Sequence, residues 1–197
     1  MSTRAMLVVA VLLAAGGFGA GLMVRGLGDA DPAAVAETGP SGSGVSTSSP
    51  ELAGGVDAVS AQRPAFDFVD QQGTARDVSD WDGQVVVVNF WATWCAPCLI
   101  EIPYFIAQQE RLGDKGLQFV GVALDDSDKV KAFVDEIGMN YPTAHGQQNA
   151  LDLMRAYGNK TGGLPFTAFV GRDGNIAFRK AGVLTEEELE EVIRELL

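Results

Sequence analysis

Gln84-Val85-Val86-Val87-Val88-Asn89-Phe90-Trp91-Ala92-Thr93-Trp94-Cys95-Ala96-Pro97-Cys98 passes from a continuous apolar run to two cysteines separated by two residues. Residues 84–90 are rich in β-branched side chains and show no alternation, the pattern of a strand buried on both faces. After Cys95 the apolar spacing becomes helical through about Arg111, so the cysteine pair falls at a helix start. Unpaired backbone N–H groups and the positive end of the helix dipole favour an anion there. They lower the pKa of the first thiol, and the thiolate is the nucleophilic form. Cys95 is therefore expected to be exposed and to attack a substrate disulfide. Cys98, one turn into the helix, then attacks Cys95 and releases reduced substrate. Pro97 suits the first turn, where its missing N–H costs nothing.

Two bland accounts of the pair are weaker. A disulfide that merely braces the fold would close too small a ring to restrict the unfolded chain much. Half of a zinc site would need two further ligands, but there is no third cysteine and His145 is the only histidine. The spacing thus points to redox chemistry that needs no metal and no cofactor.

Outward from this segment, strands and helices alternate. Order begins near Pro64, and Phe66, Phe68 and the turn Gln72-Gly73 suggest a short strand or hairpin. Leu117–Leu124 reads as a second buried strand, and Ser127–Ile137 as an amphipathic helix capped by Asp126 or Ser127. Asn149–Tyr157 is helical in pattern. Phe166–Val170 and Asn175–Arg179 are two strands joined by Arg172-Asp173-Gly174, and Thr185 opens a last helix with Glu188 placed for a capping box. The alternation predicts a layered α/β domain closed by an antiparallel pair.

Toward the N-terminus, residues 5–24 form a run of twenty positions without a charge. At ~1.5 Å per residue such a helix spans about 30 Å, the hydrocarbon thickness of a bilayer. Arg4 and Arg25 bracket it, with Arg4 and the N-terminal amine on the leading side and Asp29, Asp31 and Glu37 in the following segment, which favours a single pass with the N-terminus inside and the rest exported. Ala34-Val35-Ala36 keeps a cleaved signal sequence open, although it lies far beyond the apolar run. Residues 26–62 are rich in Gly, Ala, Ser, Pro and Asp without apolar period, and read as a flexible tether. The chain thus divides into an anchor or signal sequence (1–25), a linker (26–62) and a folded domain (63–197). The balance of 26 acidic against 14 basic residues argues against a nucleic-acid partner.

Asn89-Phe90-Trp91-Ala92-Thr93-Trp94-Cys95-Ala96-Pro97-Cys98 followed by Glu101-Ile102-Pro103 resembles the TlpA/ResA-type membrane-anchored thioredoxins, as do Asp80-Trp81-Asp82-Gly83 and Gly162-Gly163-Leu164-Pro165. The resemblance implies a thioredoxin-like fold, a central mixed sheet flanked by helices, with a strand-containing insertion within residues 117–160. It implies that Trp94 shields one side of the active disulfide and that Leu164-Pro165 carries a cis peptide bond that helps to bind extended substrate. Phe166 stands where many relatives carry Thr, so the fit of substrate there is expected to differ. Cytosolic thioredoxins have a buried aspartate at the position of Asn89, which cannot accept a proton. Glu101 is the family's motif glutamate and is expected to shift the Cys98 pKa or relay its proton. The implied activity is reduction of disulfides in exported proteins, with apocytochrome c or copper-site assembly proteins as clients. Electrons would come from a membrane donor of the DsbD/CcdA kind, in the periplasm or extracytoplasmic space at the cytoplasmic membrane. A DsbA-like thiol oxidant is the first alternative, and a thioredoxin-fold copper chaperone recruiting His145 is the second.

Other conspicuous residues read as structural. His145 is expected in a surface loop, Asp125, Asp126 and Asp128 at a helix cap, and Glu186, Glu187, Glu188, Glu190 and Glu191 on a solvated helix face.

Overall fold

The computed structural model describes residues 56–197. In chain order they form β1 (Val56–Gln62), β2 (Asp67–Val69), β3 (Ala75–Asp77), β4 (Val85–Trp91), α1 (Ala96–Leu112), β5 (Leu117–Ala123), α2 (Ser127–Ile137), β6 (Thr143–His145), α3 (Gln147–Ala156), β7 (Phe166–Val170), β8 (Asn175–Ala181) and α4 (Glu186–Leu196). Six strands make one sheet in the order β1-β8-β7-β4-β5-β6, and β2 and β3 form a separate hairpin. β4 runs parallel to β5, and β5 to β6. β7 is antiparallel to β4 and to β8, and β1 is antiparallel to β8. This is the mixed sheet of a thioredoxin-like fold.

All seven residues of β4 are buried, because both faces of the sheet are covered. Val85, Val87 and Trp91 pack under α1, α2 and α4 with Ile102, Phe105, Val134, Leu189 and Ile193. Val86, Val88 and Phe90 pack on the other face against Ala150 and Met154 of α3 and the aromatic residues Phe66 and Phe68. Residues 117–160 hold β5, α2, β6 and α3, and β6 adds an edge strand to the sheet.

Thr185 caps α4 in the expected capping box, its hydroxyl accepting from the Glu188 N–H at 3.2 Å and the Glu188 carboxylate accepting from the Thr185 N–H at 3.0 Å. α1 runs through Pro103, which has no N–H to offer the Leu99 carbonyl. Three expectations need correction. Val56–Gln62 lies within the span read as linker, yet it is a strand with its register fixed by β8, from Val56 opposite Lys180 to Gln62 opposite Asn175. Its composition hides this, because an edge strand needs ladder hydrogen bonds more than apolar side chains. His145 ends β6 rather than sitting in a loop, opposite Ala123 of β5. Asp126 is the N-cap of α2 but its carboxylate makes no capping bond; it accepts from Lys129 at 3.0 Å instead.

The proposed anchor (5–24) and the linker up to residue 55 lie outside the described residues. Among the described residues no helix is long and apolar enough to cross a membrane.

Candidate active site

β4 delivers its chain to the site and α1 receives it. Cys95 is the N-cap of α1, and its carbonyl accepts from the N–H groups of Cys98 at 2.9 Å and Leu99 at 3.3 Å. Cys95 and Cys98 are joined by a disulfide, with an S–S length of 2.02 Å and Cα atoms 5.3 Å apart. Cys95 is the more accessible, but at 5% exposure against 0% for Cys98 it is less open than expected, because the closed disulfide tucks both sulfurs into the core. The side chain that does stand in solvent is Trp94, 67% exposed, and Ile100 one turn into α1 is 57% exposed. Ala96 and Pro97 between the cysteines are exposed as well. The reactive face is therefore apolar and uncharged. Ile100 is not marked out in the sequence, since a single apolar position on a helix carries no sign of which way it faces.

The Leu164–Pro165 peptide bond is cis, as the resemblance implied. Phe166 pairs with Phe90 in the β4–β7 ladder, so Pro165 lies at the end of the sheet from which the Cys95 loop emerges. Leu164 is half-buried and Pro165 buried. Phe166 is not on the substrate side. It is buried with its ring 5.8 Å from that of Phe90, because its register puts it on the α3 face of the sheet.

Behind the cysteines is a buried polar set. Glu101 lies one turn along α1 from Cys98, on the same side of the helix, and is 0% exposed. Its Oε1 accepts from Asn89 Nδ2 at 2.8 Å, and its Oε2 accepts from the Leu184 N–H at 3.0 Å. Asn89 Nδ2 also donates to Thr167 Oγ1 at 3.0 Å. Asn89 thus supplies the donor that holds a carboxyl contributed by α1. Burial pushes the Glu101 pKa up to about 7, against the opposing pull of the Leu184 N–H, the Asn89 amide and the Lys180 charge. A carboxyl that titrates there can exchange a proton near neutral pH.

A second buried carboxylate supports the loop itself. Asp125, 1% exposed, accepts from the Thr93 hydroxyl and, at 2.8 Å, from the Asp126 N–H, with Lys129 Nζ 3.4 Å away. Burial acts to raise its pKa, but these donors outweigh it and hold Asp125 below the usual carboxylate range. Asp125 therefore ties the residue before Trp94 to the start of α2. Glu188, read as part of a solvated face, is instead half-buried and pairs with Lys180 at 2.7 Å. A carboxylate in the loop after β5 and a lysine on β8 give no sign of their places until the sheet is assembled. His145 lies beyond β5 on the edge strand, and among the described residues no group of three His, Cys, Asp or Glu side chains could hold a metal ion.

A disulfide at a helix N-terminus, a cis-proline beside it and a titratable carboxyl behind it define a thiol–disulfide oxidoreductase of the thioredoxin fold. The redoxin family matches residues 58–193, and the chain belongs to that family. It is 30% identical over 141 residues to the thiol-disulfide oxidoreductase ResA of Bacillus anthracis, covering 70% of this chain and 78% of that protein. ResA of Geobacillus kaustophilus is 29% identical over 134 residues, covering 68% and 75%. Among solved structures, a thiol:disulfide interchange protein of the thioredoxin family from Chlorobium tepidum superposes with a TM-score of 0.64 at 26% identity, over 71% of this chain and 98% of that one.

Proposed function

We propose that this oxidoreductase works as a reductase of disulfides in exported proteins, tethered to the outer side of the cytoplasmic membrane. The observation that carries the direction is the pairing of a neutral, apolar Cys95 face with a proton-accepting Glu101 behind Cys98. A strong oxidant needs a reduced form stabilised by charge around the first thiolate. The inter-cysteine residues Ala96 and Pro97 provide none, and the first turn of α1 holds no basic side chain.

The reaction follows from the two environments. The Cys95 thiolate attacks one sulfur of the substrate disulfide; the Cys95–substrate S–S bond forms as the substrate bond breaks, and the electron pair leaves on the other substrate sulfur. The Glu101 carboxylate takes the proton from Cys98. The resulting thiolate attacks Cys95, closing the Cys95–Cys98 disulfide and expelling the second substrate thiolate. Two electrons pass to substrate, and a dithiol of a membrane transporter of the DsbD/CcdA kind restores them. The apolar run 5–24 and the segment after it support a tether, which raises local concentration near such a donor. Apocytochrome c before haem attachment and copper-site assembly proteins are the client classes that the family resemblance supports.

The test is the redox state of the pair in growing cells, read by acid quenching and a mass-tagging alkylator, together with a Cys98→Ser variant of the full chain. A mainly reduced pair that turns oxidised when the membrane donor is removed supports the reductase. A pair oxidised with the donor intact overturns it in favour of the oxidant. In Cys98→Ser, mixed disulfides with exported proteins should accumulate and identify the clients.

A further inference from the structure

The residues around Glu101 belong to one row that crosses the sheet. Lys180 of β8 is opposite Thr167 of β7, Thr167 is opposite Asn89 of β4, Asn89 is opposite Gly121 of β5, and Gly121 is opposite Thr143 of β6. Directly paired residues share a face, and the bond from Asn89 to Thr167 confirms it for the middle of the row. Lys180, Thr167, Asn89 and Thr143 are all buried. A polar stripe therefore underlies α1 and α4 in an otherwise apolar sheet.

The two helices answer the stripe with one carboxylate each. Glu101 of α1 is held over Asn89, and Glu188 of α4 over Lys180 at 2.7 Å, with the Lys180 and Glu188 side chains 10% and 11% exposed. Burial acts to raise the Glu188 pKa, but Lys180 and the Thr185 N–H hold it below the ordinary carboxylate range. The Leu184 N–H that caps Glu101 comes from the same chain turn that leads into Glu188. The other groups near Glu101 carry no charge: the Asn89 amide, Cys98 in its disulfide one helical turn away, and the phenol of Tyr141, which burial and the Glu101 charge keep protonated. Lys180 is the positive charge that acts on Glu101.

We propose that Lys180, held by Glu188, is a positioning residue for thiol–disulfide exchange, supplying the counter-charge that lets the buried Glu101 become negative once it gives up its proton. Isolated charge in an apolar interior is disfavoured unless paired. Glu101 has only neutral hydrogen-bond donors in direct contact, so a charge two strands along the same row decides how readily it ionises. Glu188 moderates that charge: it fixes the ammonium near the row and partly cancels it. The inference rests on Glu101 acting as the base for Cys98.

The experiment titrates the Glu101 carboxyl in the oxidised full-length protein by carbon-13 NMR of a glutamate-labelled chain, with Glu101→Gln identifying the resonance. The pH profile for reduction of a cystine peptide is measured beside it. Lys180→Met should move the Glu101 titration and the rising limb of the profile to higher pH by about half a unit, roughly threefold in rate below the limb. Lys180→Arg should restore both. Glu188→Gln, which keeps the capping box, should move them the other way, and it reads the same charge if Lys180→Met does not fold. Opposite shifts in the two variants support the inference. Shifts of the same sign, or a Lys180→Met curve lying on the wild type while Glu101→Gln abolishes the limb, overturn it and leave the Glu101 base standing. A limb that survives in Glu101→Gln removes the base itself, and the inference with it.

Discussion

Cys95 and Cys98 are three residues apart, yet each borders a different kind of structure. The Cys95 side is a surface built from residues close together in the chain: Trp94, Ala96, Pro97 and Ile100 are exposed, apolar and uncharged. The Cys98 side is a fully buried polar assembly, in which Glu101 of α1 meets Asn89 of β4, Thr167 of β7 and the Leu184 N–H before α4. The first can meet a partner; the second can move a proton without admitting water. A disulfide ring so small is useful because it lies at the boundary between an exposed apolar surface and a low-dielectric interior.

The comparison is most sharply tested at Glu101. Glu101→Gln should slow exchange by about 10²-fold at neutral pH and flatten the limb near 7, the usual scale for loss of an acid–base group. It should also change the pH dependence of stability. The folded-state pKa of Glu101 is raised, from 4.5 to about 7. Its protonated form therefore favours folding fully below the unfolded value, and that contribution is lost as pH rises through about 7, a difference on the order of 3 kcal/mol. Urea unfolding at mildly acid and alkaline pH should show the wild type losing this stability and Glu101→Gln not losing it. Equal slopes in both proteins would place the proton elsewhere.

A smaller effect is expected where the two sides meet. Thr93→Val removes the hydroxyl that donates to buried Asp125, leaving that oxygen short of a partner. The cost should be about 1–3 kcal/mol in urea unfolding. Exchange should slow as the loop bearing Trp94 and Cys95 loosens, with the Glu101 limb staying where it is. A moved limb would mean that the front loop and the buried set are not separable.

The smallest effect on the fold belongs to Trp94→Ala. At 67% exposure this ring contributes little to the core, so stability should change by about 0.5 kcal/mol or less. The apparent affinity for a disulfide peptide should nevertheless weaken several-fold, because a large exposed aromatic beside a reactive group acts through contact with a partner. An unchanged KM would show that substrate does not use this face.

Much of this division is visible along the chain, and its limits are instructive. The Val85–Val88 run identifies a doubly buried strand and the CxxC at the following helix start identifies the redox pair, while the cis bond at Leu164–Pro165 is what the family resemblance implies. The strand and the redox pair are properties of neighbouring residues, set by pleat and helix dipole. Asn89 illustrates the limit: in the sequence it is a missing aspartate, and in the fold it is the donor that holds Glu101. Asp125 is a helix cap in sequence, and in space it also joins the active-site loop to the start of α2.

Val56–Gln62 shows the same limit for the fold itself, since a strand without an apolar pattern is fixed only by its β8 partner. The row Lys180–Thr167–Asn89–Gly121–Thr143 draws on five strands from residue 89 to residue 180. Local sequence carries backbone propensity, apolar periodicity and short-range chemistry, and these settle the α/β class and the thiol pair. Which polar residues become buried neighbours depends on strand order and register, and only the closed tertiary structure sets those.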